Sequence, residues 1–119
     1  MELLTQEIKK ALPPLYSTEA TPISNKVFVC KFFNPVGAGT WYVCEGAPVN
    51  PAMPDDDWLF FGMVDIGMGK EWGYFHLSEL KGLTLPLGLG IERDIHFKNE
   101  PAGKYEDYPF SESAGHEPM

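Results

Sequence analysis

Positive charge is scarce in this chain. Nine lysines and arginines stand against 17 acidic residues, which gives a net charge of −8 and a pI of about 4.7. Phosphate backbones repel such a surface, and no Lys/Arg-rich block offsets the repulsion locally, so direct nucleic-acid binding is not expected. Long apolar runs are also missing. No stretch is long enough to span a bilayer. The first ten residues, MELLTQEIKK, place an acid at position 2 and contain no signal-peptide core. The expectation is a cytoplasmic protein without a membrane partner. Cysteine is limited to Cys30 and Cys44, with no CxxC spacing. Both should be reduced thiols, and a Cys30–Cys44 bridge is the alternative. No G-x-S-x-G, H-E-x-x-H, Walker or dinucleotide fingerprint is present, so no cofactor and no resident metal are expected.

What is present is apolar and aromatic. Hydrophobic residues make up 44% of the 119, and aromatics 13%. A chain of this length forms one domain and buries over half of its unfolded surface without needing a metal or disulfide. Its 11 prolines and 12 glycines point to a turn-rich protein rather than a helical bundle. The expected fold is α+β, a mainly antiparallel, strongly twisted sheet of four to five strands with a short N-terminal helix and a second short helix.

The stretch from Trp58 to Phe97 organises the rest, because it holds most of the large apolar residues and the clearest turns. Ahead of it, residues 5–12 predict a helix capped by Thr5, with Leu4, Ile8, Ala11 and Leu12 on one face and Pro13-Pro14 as the stop. Residues 15–26 read as a connector. Val27 to Phe33 and Thr40 to Glu45 predict a hairpin across the glycine-rich turn 34–39. Alternation puts Phe28, Cys30 and Phe32 on one face and Tyr42 and Cys44 on another; the two faces are expected to coincide in the core.

Trp58 to Asp65 predicts a central strand, apolar on both faces, and Glu71 to His76 its return. Asp65 and Glu71 flank the turn, which predicts neighbouring carboxylates. Leu77 to Leu80 begins a helix with Ser78 as cap and Gly82 as a left-handed stop. Residues 83–91, broken by Pro86, Gly88 and Gly90, predict an ordered loop packed on the core, and Asp94 to Phe97 a last strand. The single domain is drawn at 1–98. Residues 99–119 are expected to be a polar, loosely ordered tail that Tyr105, Tyr108 and Phe110 tack onto the body or a partner.

Several of these strings, in this order, resemble a family of small bacterial and phage proteins, domain of unknown function 2958. They are Trp41-Tyr42, Phe60-Phe61-Gly62-Met63-Val64-Asp65, Glu71-Trp72-Gly73-Tyr74-Phe75, Leu77-Ser78-Glu79-Leu80, Pro86-Leu87-Gly88-Leu89, and Ile91-Glu92-Arg93-Asp94 with Phe97. Leu12-Pro13 and Leu15-Tyr16 add to the likeness, which covers the chain to about residue 98. The resemblance implies carriage near plasmid, integrative-element or prophage genes, and it carries over no catalytic residues. Gly90 departs from the family pattern, which has proline there.

Candidate sites are few. In Glu92-Arg93-Asp94, strand alternation sends Arg93 opposite to the two acids, where it is expected to pair with Asp65 or Glu79. The competing reading makes Asp65, Glu79, Glu92, Asp94 and His96 a carboxylate and imidazole cluster for a small metal-dependent hydrolase or nuclease. His76 is a weaker candidate of the same kind. Asp55, Asp56 and Asp57 form either a solvated loop or a cation site, and lack the spacing of a calcium loop. Trp41 and Tyr42 are binding candidates, Trp41 being the tryptophan expected at the surface, because exposed aromatics mark interfaces. The leading reading is an accessory protein of a mobile element. It binds a protein partner through Trp41, Tyr42, Asp55–Asp57 and Arg93, with a homodimer through an exposed strand edge as a further option.

Overall fold

The computed structural model describes residues 1–105. Helix α1 (Gln6–Ala11) starts where Thr5 Oγ1 accepts the Ile8 N–H at 3.1 Å. It ends at Leu12-Pro13, after which the Pro13 carbonyl accepts the N–H of Gly46 at 3.0 Å. Strands β1 (Val27–Phe28) and β2 (Cys30–Phe33) follow a connector, then β3 (Thr40–Pro48), β4 (Trp58–Asp65) and β5 (Lys70–His76). Helix α2 (Leu77–Lys81), β6 (Glu92–Arg93) and β7 (Glu100–Pro101) complete the regular elements, with a 3₁₀ turn over Ala102–Tyr105. Five strands form an antiparallel sheet in the order β5-β4-β3-β2-β6, and β1 pairs with β7 in a second, two-stranded sheet. The fold is α+β, as the composition and turn pattern predict.

The larger sheet is covered on both faces, which explains why β4 reads as apolar throughout. On the first face, Cys30, Phe32, Val43, Phe60 and Phe75 pack under Leu4, Leu12, Leu77, Leu80 and Ile91. On the second, Tyr42, Cys44, Phe61, Met63 and Trp72 pack under Phe28, Ala102 and the partly buried Leu15 and Ile23. Phe28, Phe32, Phe60 and Phe61 are fully buried, each contributing about 1.5–3 kcal/mol from area removed from water.

The register of β2 on β3 corrects the expected faces. Cys30 lies opposite Val43 and Phe32 opposite Trp41. Tyr42 and Cys44 therefore face away from Cys30 and Phe32, because adjacent residues of a strand point to opposite sides. Phe28 changes side, since the chain leaves the large sheet at Val29 and β1 belongs to the small one. The two cysteines sit on opposite faces, and both are free thiols.

Four local expectations also change. Gly82 has φ −81°, a right-handed stop. The N-cap of α2 is His76 rather than Ser78, and Glu79 Oε1 accepts the His76 N–H at 2.8 Å. Residues 92–93 form the last strand of the large sheet, and 94–97 form a turn closed by Phe97 N–H to the Asp94 carbonyl. Order continues past residue 98, because β7 pairs with β1 and Ala102 is fully buried. Tyr105 packs on Tyr42 and Phe28 at 4.9 and 6.0 Å between ring centroids, and its hydroxyl donates to Glu100 Oε1 at 2.6 Å. Tyr108 and Phe110 lie outside the described residues.

Gly62 lets β4 lie against β3 at its closest point. A Cβ there would sit 1.7 Å from the Tyr42 carbonyl oxygen, a backbone atom that cannot swing aside. Gly62→Ala should cost about 3 kcal/mol, the upper end of overpacking penalties, read as a lowered urea midpoint at unchanged slope.

Candidate functional site

The most unusual local feature starts at a bulge in β3. Val43 pairs with Gly62 and Glu45 with Phe61, leaving Cys44 as the extra residue. A bulge resets strand alternation. Glu45 therefore joins Cys44 and Phe61 on the second face instead of returning to the first with Val43. There it is fully buried.

An isolated carboxylate in such a place would be costly, but this one is fully engaged. Its Oε1 accepts the Tyr16 N–H at 2.7 Å. Its Oε2 accepts the Thr18 N–H at 3.1 Å and also the Thr18 hydroxyl. Lys26, 1% exposed, donates from Nζ to the Thr18 carbonyl and, at 3.0 Å, to Thr18 Oγ1. The lysine and glutamate thus communicate through one threonine hydroxyl. Burial pushes the Lys26 amine below its ordinary pKa, and the negative potential of Cys44, Glu45 and Glu19 opposes that shift. The Lys26 carbonyl accepts the N–H of Ala102 at 2.7 Å, so the network also anchors the C-terminal 3₁₀ turn.

Tyr16 is shaped by this network. Its φ of +69° is a left-handed conformation that a bulky residue rarely adopts. Such a position costs on the order of 1–3 kcal/mol and persists only where the surroundings enforce it; here the Glu45 bond enforces it. The ring is more than half exposed and meets the exposed ring of Tyr74 at 6.0 Å. Tyr74 in turn rests on Phe61 at 4.8 Å. Desolvation raises the Tyr74 phenol pKa, and Tyr16, Glu45 and Glu19 add to it. Glu19 is exposed beside the pair. The result is a rigid aromatic and acidic patch over a buried polar anchor. Its inner groups are committed to one another: the Thr18 hydroxyl to Glu45 and Lys26, and the Cys44 thiol to the Phe61 carbonyl at 3.4 Å.

The residues singled out by sequence lie elsewhere. Arg93 pairs with neither Asp65 nor Glu79. Its guanidinium donates to the carbonyls of Glu2 and, at 3.3 Å, Leu3, so it fastens the N-terminal segment. Asp65 pairs with Lys70 at 3.3 Å and accepts the Gly67 N–H. Glu71 stands opposite Val64, one residue out of phase with Asp65, so those two carboxylates point to different faces.

Asp65, Thr40, Phe33 and Glu92 are successive cross-strand partners, which puts Asp65 and Glu92 about 14 Å apart. Glu79 caps α2, a full strand length of roughly 20 Å from the Asp65 turn. Asp94 pairs with Lys31 at 3.8 Å and accepts the N–H of the exposed His96. Among the described residues, no three His, Cys, Asp or Glu side chains come close enough to share an ion.

The Asp55–Asp57 loop is a staple. Hydrogen bonds from Lys9 at 2.9 Å and Gln6 at 3.1 Å hold the Asp55 carboxyl below its ordinary pKa. For Asp57, partial burial pushes upward. The N–H and hydroxyl of Ser78 and the N–H of Trp58 outweigh it, and the net shift is downward. Asp56 alone of the three lies open without such a role. Trp41 is half-buried against the first face, and Tyr42 is buried in the second. The outward aromatics are Tyr16 and Tyr74 instead. The only advance signal for Glu45 was a lone acid closing an apolar strand.

A model of the DUF2958 family, described as a protein of unknown function, matches residues 3–108. The chain belongs to that family. No curated protein and no solved structure matches it. The DUF2958 match takes in every strand of both sheets and the whole Glu45 network, and it extends beyond residue 98. No helix among the described residues is long and apolar enough to cross a membrane.

Glu45→Ala leaves the Tyr16 and Thr18 N–H groups and the Thr18 hydroxyl without their acceptor and removes the carboxylate charge near Lys26; it should cost about 3 kcal/mol, with Glu45→Gln costing less, both measured by urea unfolding. Burial pushes both thiols from 9.0 up to about 12. Below pH 9 neither state ionises and the stabilisation is whole; above it the unfolded chain releases protons that the folded chain keeps, so stability falls toward pH 12. Lys26 acts in the opposite sense, its contribution being full above 10.5 and lost as pH falls through its lowered folded value. A Cys30→Ala/Cys44→Ala variant should therefore lose less stability than the native chain between pH 9 and 10.5. A thiol reagent at pH 8 should label neither cysteine until the protein is denatured.

Proposed function

We propose that this DUF2958 protein is a non-enzymatic accessory protein of a mobile genetic element, a phage, plasmid or integrative element. It docks a protein partner on the face that carries Tyr16, Glu19 and Tyr74. The observation that supports this most is Tyr16, held in a left-handed conformation by a buried carboxylate while its ring stays in solvent. Nothing in the chain's own packing uses that exposed ring surface fully, and strain of this kind concentrates where a surface must be presented in one shape. Exposed tyrosines fixed in advance are favoured contact residues. Their acidic surroundings suit a basic protein surface, whose arginines stack on tyrosine faces and pair with Glu19. A host defence or DNA-handling protein has such a surface. The mobile-element setting rests on the family resemblance, which implies carriage near such genes.

The hydrolase reading finds no support in the side-chain placement. Asp65, Glu79 and Asp94 are each occupied by a cation or a backbone N–H, His96 is a surface residue, and Glu92 is strands away from Asp65.

Immobilised native protein should retain a specific partner from host extract and release it as salt rises. Tyr16→Asn combined with Tyr74→Thr should reduce that capture at least about tenfold, since asparagine tolerates the left-handed backbone and threonine suits a strand. Glu19→Lys should do likewise, and Asp56→Lys should not. Equal capture by the native chain and the tyrosine double variant would defeat the proposal.

A further inference from the structure

The opposite face carries a second feature, independent of the tyrosine patch. After α2 the chain runs through a loop whose tip is Leu87-Gly88. Leu87 has φ +67° and ψ +19°, and Gly88 has φ +73°. The Leu89 N–H donates to the Pro86 carbonyl at 3.4 Å, and the Leu85 N–H to the Leu89 carbonyl at 2.9 Å. Two successive left-handed residues closed this way make a type I′ turn, whose first central position favours asparagine or glycine. Leucine there is strained, and the strain is not repaid within the chain, because Leu87 is 90% exposed. Leu83 and Leu89 on either side are also exposed. Leu85 is turned inward and packs on the first-face core, so the base of the loop is anchored while its tip projects.

The loop rises from the rim of an open hollow of about 310 Å³, floored by Leu3, Leu80 and Ile91 and edged by Gly90, Lys81, Glu92 and the exposed Met1, whose sulfur accepts the Arg93 N–H at 3.1 Å. An apolar cavity of about 150 Å³ already holds a benzene-sized group, so the hollow has room for a leucine side chain. The apolar finger and a hollow able to receive one thus lie side by side on one surface. The neighbouring rim residues carry opposite charges, Lys81 and Glu92, on a chain whose net charge of −8 otherwise repels its own copies and anionic lipid alike.

We propose that a second copy of this chain covers the hollow. About a two-fold axis beside the loop, Leu87 of each copy enters the hollow of the other. Lys81 then meets Glu92 of the partner subunit, and Glu92 meets the partner subunit's Lys81. A contact of this kind closes on itself and yields a dimer rather than a filament.

The test is the mass of the full chain by sedimentation equilibrium from about 10 µM to about 1 mM, a range that reaches weak association. The native chain should approach the dimer mass as concentration rises. Leu87→Asn keeps the turn, and Gly90→Gln adds a side chain where no atom lies within 4 Å of the new Cβ. Each should weaken association at least about tenfold. At a concentration low enough that the native chain is monomeric, Leu87→Asn should melt no lower than the native protein; at higher concentration the dimer itself raises the native melting temperature. A native chain that stays monomeric throughout would overturn the proposal. So would an equally tight dimer in Leu87→Asn, or a lowered melting temperature of that variant under the monomeric conditions, which would place Leu87 in its own chain's packing.

Discussion

The carboxylate of Glu45 is the contact on which the second half of the architecture rests. A five-stranded sheet with apolar residues on both sides needs two covers. The first face has helices and leucines to cover it. The second face has a connector, residues 15–26, whose regular structure is limited to turns and one 3₁₀ turn at Ile23–Asn25, and a second short 3₁₀ turn at Ala102–Tyr105. Both are tied down through one buried side chain. Glu45 takes the backbone N–H groups of Tyr16 and Thr18, Thr18 takes Lys26, and the Lys26 backbone takes Ala102. Because Glu45 and Lys26 are buried and both are paired, the network favours one arrangement of the cover over its alternatives.

Several of the acidic residues that make the chain look like a charged surface are spent on holding the fold together. Asp55 and Asp57 hold the proline-rich loop to α1 and α2, Asp65 locks the β4–β5 turn through Lys70, and Asp94 steadies the edge strand through Lys31. Arg93 serves the N-terminal segment. Net charge therefore overstates how much carboxylate is free for a partner. Among the described residues that stay open, the tyrosine patch with Glu19 is the part that has a defined shape.

Much of the fold was legible before any coordinates. The strands β3 to β5, the capping threonine at position 5 and the glycine-rich hairpin turn all follow from local rules, and each is present; the loop 83–91 is present too, but it is anchored on the core only through Leu85 and Ile91, and its tip is exposed rather than packed. The larger errors share one cause, which is that pairing between distant segments is not written in local pattern. A one-residue difference in the β2–β3 register separated Cys30 from Cys44. Arg93 found backbone carbonyls some ninety positions away in place of a carboxylate. The polar composition after residue 98 hid a strand that pairs with β1, because two residues of pairing and one buried alanine leave almost no compositional trace.

Residue order alone determined that this chain is a small α+β domain with a doubly buried sheet, since side-chain period, turn residues and total apolar content are local quantities. It also determined which family the chain resembles. Only the tertiary structure decided where the candidate site lies. An extra residue at Cys44 rotates Glu45 to the other face, and a bulge is a property of two paired strands, which neither strand's sequence carries by itself. Tyr16 and Leu87 acquire their strained, outward poses for the same reason: their backbones are set by distant or turn-closing hydrogen bonds, not by their own preferences.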